Sequence, residues 1–311
     1  MWPPDFLNTA ELAAGRVRVE LSRRSPLLGQ RTTGWLISLG DIDHLEHYFT
    51  HPQAVPILAL PWWLETSICG KPSIPFQSDL MYSTINGYYF TRMLDDVMDG
   101  HGVDPSALPA LYHFHTQFQS TYSNYFGASS SFWAHFERML MDTAEAAAAD
   151  YLLGCINEES FSQTCARKSA AGAIPMAAVC YRYDRPALLE EWESLFRLFG
   201  RWHQMRDDLF DWSEDRSGGR HTWLLSEAER QRSKTESVPA WMGHRGFSWA
   251  SEKMEGWMEE IIAAAIMLDS LDLVHYLEES RECFRRQVAR MVETAAAYSR
   301  LLELDTIPPV E

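Results

Sequence analysis

The chain has 311 residues, with 43 acidic against 27 basic side chains and a net charge of −16. That balance excludes the Lys- and Arg-rich surfaces that hold nucleic acid or anionic membrane non-specifically, although it leaves room for a local basic pocket. With 46% hydrophobic and 23% charged residues the composition is globular and not disordered, and residues 1–311 are read as a single domain with ample core.

In chain order, the first long element is Phe76 to Asp99. Leu80, Ile85, Tyr88, Tyr89, Met93, Leu94 and Val97 recur at spacings of three and four, and only Gly87 weakens the helix. Leu108 to Tyr125 and Phe132 to Leu153 read as two more helices, the second carrying the strongly helix-forming run Ala144-Glu145-Ala146-Ala147-Ala148-Ala149. Glu159 to Tyr181 is helical in composition, with a kink or end expected at Pro175. Pro186 to Trp212 is a helix with Pro in its first turn, where Pro is tolerated. Ser213 to Arg220 and Ser233 to Gly246 read as polar loops. Ser248 to Leu304 reads as two helices broken near Asp269 to Asp272. No alternating strand pattern and no fixed repeat stands out, so the expectation is an all-α chain of about ten helices.

Five cysteines, Cys69, Cys155, Cys165, Cys180 and Cys283, form neither a CxxC pair nor a zinc-ligand spacing. Reduced, mostly buried thiols in a cytoplasmic protein are expected. Met1-Trp2-Pro3-Pro4-Asp5 lacks the basic and apolar regions of a secretory signal. The longest purely apolar run, Ile261 to Leu268, is far below the ~20 residues of a membrane span.

Two acidic clusters carry the chemistry. Asp95-Asp96-Val97-Met98-Asp99 and Asp207-Asp208-Leu209-Phe210-Asp211 both have the form DDxxD, with apolar residues at both x positions. On a helix, positions i and i+4 lie about 40° apart on one face, so Asp95 projects with Asp99 and Asp207 with Asp211. Carboxylates so grouped repel one another, and a hard divalent cation such as Mg²⁺ relieves them. One such cluster is commonly just a solvated helix end. Two of them point to a shared metal site that clamps a diphosphate and neutralises its charge as it leaves. Tyr88, Tyr89 and Phe90 precede the first cluster, and Phe196, Phe199 and Trp202 the second. Aromatic faces stabilise a carbocation, although each ring taken singly also suits a packed core. His203 reads as a packed side chain.

With these residues the sequence resembles the class I isoprenoid synthases, specifically the trans-prenyl diphosphate synthases. Phe199-Gly200-Arg201-Trp202-His203-Gln204-Met205-Arg206-Asp207-Asp208-Leu209-Phe210-Asp211 is similar to their G-x-x-F-Q-x-x-D-D-x-x-D segment, with Gln204 in register. Lys168-Ser169-Ala170 resembles their Lys-Thr-Ala, whose Lys binds the allylic diphosphate. Gly219-Arg220-His221-Thr222 resembles their G-K-x-[ST], with Arg220 in place of Lys. The similarity runs from about Phe76 to Leu225. It implies an all-α isoprenoid-synthase helical bundle around a central cavity and a homodimer. It also implies about three Mg²⁺ ions held by Asp95, Asp96, Asp99, Asp207, Asp208 and Asp211. Lys168, Arg206 and Arg220 are then the diphosphate donors, with Gln204, Tyr88, Tyr89, Phe199 and Trp202 at the substrate.

Chain-elongating members also carry a G-K-x-x-R-P segment well before the first motif and an Arg-Arg-Gly after it, which hold the second diphosphate. Here Gly100-His101-Gly102-Val103-Asp104-Pro105 comes directly after the first motif. Gly70-Lys71-Pro72 has no Arg and lies too close to it, and Gly29-Gln30-Arg31 has no Lys. A diphosphate is not held in a low-dielectric pocket without balancing cations. The expectation is therefore a terpene synthase that ionises a C15 to C20 prenyl diphosphate and cyclises or quenches the cation; capture by an outside nucleophile would instead make it an unusual prenyltransferase. Asp207, Asp211 and Asp215 share the spacing of the N-S-E metal triad of terpene cyclases, with all three residue types different. A chain-elongating synthase and a non-catalytic partner subunit of one are the alternatives.

Overall fold

A computed structural model describes residues 2–40, 44–51, 54–150 and 155–304, with side chains described up to residue 294. Every regular element among them is helical, as the periodicity predicts. The helices are α1 (Pro4–Arg24), α2 (Pro26–Leu39), α3 (Leu45–Thr50), α4 (Ala59–Cys69), α5 (Ile74–Met98), α6 (Ala110–Ser120) and α7 (Ser131–Asp150). They continue as α8 (Glu158–Lys168), α9 (Ile174–Arg182), α10 (Pro186–Ser217), α11 (Trp223–Gln231), α12 (Val238–Trp241), α13 (Phe247–Met267) and α14 (Leu271–Leu304). The number among the described residues exceeds the ten or so expected, because four helices precede α5, Glu159 to Tyr181 divides into α8 and α9, and α11 and α12 add two more.

Backbone contacts sort the chain into two units, each built from three stretches. One comprises Met1–Met141, Ala170–Glu193 and Leu268–Leu273; the other comprises Asp142–Ser169, Ser194–Met267 and Val274–Glu311. In the first unit α5 is the central element, packed on α1 and α6. The buried stripe of α1 is Phe6, Thr9, Ala10, Ala13, Ala14, Val17 and Leu21, and its alanines permit close helix packing. Gly87 answers the weakness noted in α5: a Cβ there would lie 2.8 Å from the Phe118 ring of α6, so glycine sets the distance of that crossing. The buried Glu65 carboxylate is satisfied by the Gln77 amide at 2.7 Å and by the Tyr183 hydroxyl, as a charge in a core requires.

Several boundaries differ from expectation. The segment Leu108 to Tyr125 becomes α6 and a 3₁₀ turn, Thr121–Asn124. Tyr151, Leu152 and Leu153 at the end of the Phe132 helix lie outside the described residues. Glu159 to Tyr181 is two helices, and Pro175 sits in the first turn of α9, where its missing N–H costs nothing. The expected loop from Ser213 is still α10, which runs to Ser217. Those residues are polar without breaking a helix, and Asp215 among them is buried; the break comes at Gly218-Gly219, with Gly219 at φ 71°. The expected loop from Ser233 contains α12 and a π-helical turn, Met242–Gly246. Buried Val238, Trp241, Met242 and Phe247 hold it down, and Ser237 caps α12 through its Oγ, which accepts from the Ala240 N–H at 3.3 Å. The break before α14 falls where expected, with Asp269 at φ 52°.

Cys165 and Cys180 are buried, but Cys69 and Cys155 are exposed, which corrects the expectation of mostly buried cysteines. Cys69 ends α4 and Cys155 lies in the connection before α8, positions that no core covers. Burial pushes the Cys180 thiol up to about 12. Among the described residues no helix is long and apolar enough to cross a membrane.

Candidate active site

The first acidic motif closes α5. Asp95 and Asp96 occupy its last turn, and Asp99 caps it, its N–H donating to the Asp95 carbonyl at 2.9 Å. The turn places Asp95 and Asp99 on the more accessible side and Asp96 inward. Asp96 is held from three directions. The Trp35 indole N–H donates to it at 2.8 Å, the Arg92 guanidinium lies at 3.0 Å, and His101 Nδ1 lies at 3.4 Å. The His101 N–H also donates to the Asp96 carbonyl at 2.8 Å, with Gly100 at φ 72° making the turn. Arg92 was open to sequence reasoning, because it sits at i−4 from Asp96. Trp35 was not, because no local pattern ties it to α5.

Upstream on α5, Tyr89 is buried against Trp35, Phe49 and Phe114. Tyr88 is partly exposed and hydrogen-bonds the Tyr48 hydroxyl. Burial raises both phenols above their ordinary range, so both stay neutral. Phe90 is half-buried against His115.

The second motif lies on α10, in the other unit, together with Lys168, Gln204, Arg206 and Arg220. Gly200 lets the C-terminal end of α8 come close: a Cβ there would lie 2.7 Å from Ser169 Oγ. Gln204, Asp208, Asp211 and Asp215 succeed one another at four, three and four residues and so form one stripe of α10. Asp208 and Asp215 are buried, whereas Asp207 and Asp211 are exposed. The Gln204 amide donates to Asp208 at 2.9 Å. Burial, with Asp215 and Asp207 nearby, pushes the Asp208 carboxyl up to about 7, against the opposing effects of Gln204 and Lys168. Burial and then Glu214 also raise Asp211.

Each candidate diphosphate donor has an acidic neighbour. Lys168 Nζ is 2.7 Å from Asp150, Arg206 is 3.5 Å from Asp207, and Arg220 is 3.7 Å from Asp215. Phe199 and Trp202 are buried and packed on each other, with Tyr276 beside Phe199 and Phe284 beside Trp202. His203 is buried against the same two rings. Burial lowers it well below the ordinary imidazole range, so it packs as a neutral ring.

The residues fit a magnesium site on two grounds. The donors are carboxylate oxygens, the hard ligands Mg²⁺ selects, and Asp208 is a buried acid beside Asp207 and Asp215, whose mutual repulsion a cation would relieve. In neither motif do three carboxylates come within 4.8 Å of one another.

No protein-family model matches the chain, and no curated protein matches its sequence. Solved structures do. One is a geranylgeranyl pyrophosphate synthetase from the archaeon Geoglobus acetivorans, similar over 88% of this chain and 98% of its own, at 15% identity and a TM-score of 0.65. The chain therefore has the all-α isoprenoid-synthase fold.

Proposed function

We propose that the chain is a Mg²⁺-dependent class I terpene synthase acting on a linear prenyl diphosphate of C15 to C20. The observation that carries this is an isoprenoid-synthase fold with an aspartate motif on each of two helices, where Asp208 is buried beside Asp207 and Asp215. Magnesium, when bound, would neutralise the diphosphate as its C–O bond breaks and the electron pair leaves with it. Asp95 and Asp99 on α5, with Asp207, Asp208 and Asp211 on α10, are the ligands assigned to it. Asp96, already engaged by Trp35, Arg92 and His101, adds to that set and orients the last turn of α5. Lys168, Arg206 and Arg220 exchange their carboxylate neighbours for diphosphate oxygens, a charge-assisted contact of the same kind. The rings of Tyr88, Tyr89, Phe199 and Trp202 stabilise the allylic cation and exclude water, and Tyr88 has the most exposed face of the four.

Cyclisation or quenching is favoured over elongation by the residues just past the first motif. Gly100, His101 and Gly102 offer no guanidinium for a second diphosphate, and the nearby Arg92 is paired with Asp96. The likeness to a geranylgeranyl pyrophosphate synthetase favours the second reading, a chain-elongating prenyltransferase. One experiment separates them. The purified chain is incubated with Mg²⁺ and geranyl, farnesyl or geranylgeranyl diphosphate, each with and without isopentenyl diphosphate. A cyclic or alcoholic terpene formed without isopentenyl diphosphate, and abolished by Asp95→Ala, is the expected result. A longer diphosphate formed only with isopentenyl diphosphate establishes the elongating reading instead. No turnover in any tube refutes both and favours a non-catalytic partner subunit.

A further inference from the structure

Outside the aspartate motifs, one cluster has the chemistry of a metal site. The sequence His44-Leu45-Glu46-His47 opens α3, with His44 as its N-cap residue. Leu45 is buried at the turn's inner side, and the three polar side chains gather beside it. His44 Nδ1 lies 3.2 Å from Glu46 Oε1, and His47 Nε2 lies 3.8 Å from the same oxygen. The two imidazoles are nearly parallel, with centroids 4.8 Å apart and planes 16° apart. Among the described residues this is the one group in which three His, Cys, Asp or Glu ligand atoms all come within 4.8 Å of one another.

The burial is unequal in an informative way. Both imidazoles are more than half exposed, but the Glu46 side chain is 9% exposed. A carboxylate so deep needs a balancing charge, and the imidazoles beside it supply one only when protonated. A divalent cation would supply it with both imidazoles neutral. The spacing suits that cation. Zinc binds nitrogen and oxygen at about 2.0–2.1 Å in a tetrahedron, which puts its ligands about 3.3 Å apart. Two of the three separations already bracket that value, and exposed imidazoles have room to turn. The ligands are borderline nitrogen donors with one carboxylate, which selects zinc or another late first-row ion over the magnesium that suits all-oxygen sites.

We propose that His44, Glu46 and His47 form a three-ligand site for Zn²⁺ or a similar transition-metal ion, with solvent in the fourth position. The chelate ties the N-cap of α3 to its first turn. A helix of six residues has no independent stability, so the ion would fix an element otherwise held by Leu45 and Phe49. The next residue, Tyr48, hydrogen-bonds Tyr88 on α5, so ordering α3 also orders a ring on the helix that ends in the first motif. Metal binding here can be read without assaying the reaction assigned above.

The test uses Co²⁺ alone as a spectroscopic probe, with Mg²⁺ in large excess to occupy the aspartate motifs. One Co²⁺ per chain is expected, with the visible absorption of four-coordinate cobalt, displaced by Zn²⁺. Both signals should vanish in the double variant His44→Ala, His47→Ala, which replaces exposed side chains and should leave the far-ultraviolet circular dichroism unchanged. Supporting partners of metal sites are commonly worth 10- to 100-fold in affinity, so Glu46→Gln should weaken binding by at least about tenfold. Zn²⁺ should raise the melting temperature of the native chain and not of the double variant. Absence of stoichiometric Co²⁺ binding would overturn the proposal. So would binding that survives in the double variant, or a near-ultraviolet sulfur-to-cobalt band marking Cys69 or Cys155 as the ligand.

Discussion

Substituting Asp208 by Asn should stabilise the metal-free protein while removing its activity. Asp208 is 5% exposed and its carboxyl is pushed from the ordinary 3.8 to about 7, by burial first and then by Asp215 and Asp207. Each pH unit between those values corresponds to about 1.4 kcal/mol, so the buried charge costs up to about 4 kcal/mol above pH 7. The sign comes from proton counting. Between pH 4 and 7 the folded chain keeps a proton at Asp208 that the unfolded chain has lost, so stability falls as pH rises through that window and is level above it. His203 works the other way: it is buried and neutral, so stability falls as pH drops below 6.5. Comparing the variant with the native chain cancels His203, because both proteins contain it. Urea unfolding in EDTA, followed by fluorescence of the 12 tryptophans, should give a stability difference near zero at pH 4. The difference should grow in favour of Asp208→Asn up to pH 7 and then level at a few kcal/mol. In saturating Mg²⁺ with diphosphate the native chain should recover most of it, and the variant should not. A difference that does not change with pH would refute the view that Asp208 is a buried acid awaiting a cation.

Two further outcomes test the scaffold. Trp35→Phe keeps the ring against Tyr89 and Phe114 but deletes the 2.8 Å donor to Asp96. Losing a hydrogen bond to a buried charge should cost about 1.5–3 kcal/mol in urea unfolding, and an unchanged midpoint would show that Arg92 and His101 suffice. Gly87→Ala and Gly256→Ala should have opposite signs. The first drives a methyl to 2.8 Å from Phe118, and the second meets nothing within 4 Å in the middle of α13. Overpacking costs about 1–3 kcal/mol, and a helical Gly→Ala gains up to about 1. Melting temperature should therefore fall for Gly87→Ala and rise for Gly256→Ala.

Much of this molecule was legible in the chain because helices are written locally. Apolar residues at three and four positions, an interruption at Pro175, Pro186 at a first turn, and the break near Asp269 to Asp272 need no distant partner to be recognised. The same holds for the aspartate motifs, whose i, i+4 spacing assigns Asp95 with Asp99 and Asp207 with Asp211 to shared faces. The polar end of α10 was misread for a related reason. Polarity argues for exposure, but Asp215 is buried by neighbours that no window of sequence contains. Only tertiary structure distinguishes Asp207 from Asp208, adjacent and chemically identical, one at the surface and one inside. Only tertiary structure brings Trp35 to Asp96 across 61 residues, and makes Glu46 a buried carboxylate between two imidazoles. Secondary structure arises from the repeat of a residue with its neighbours. The charge state and partner of a side chain depend on the groups the folded chain places beside it and on how much water remains.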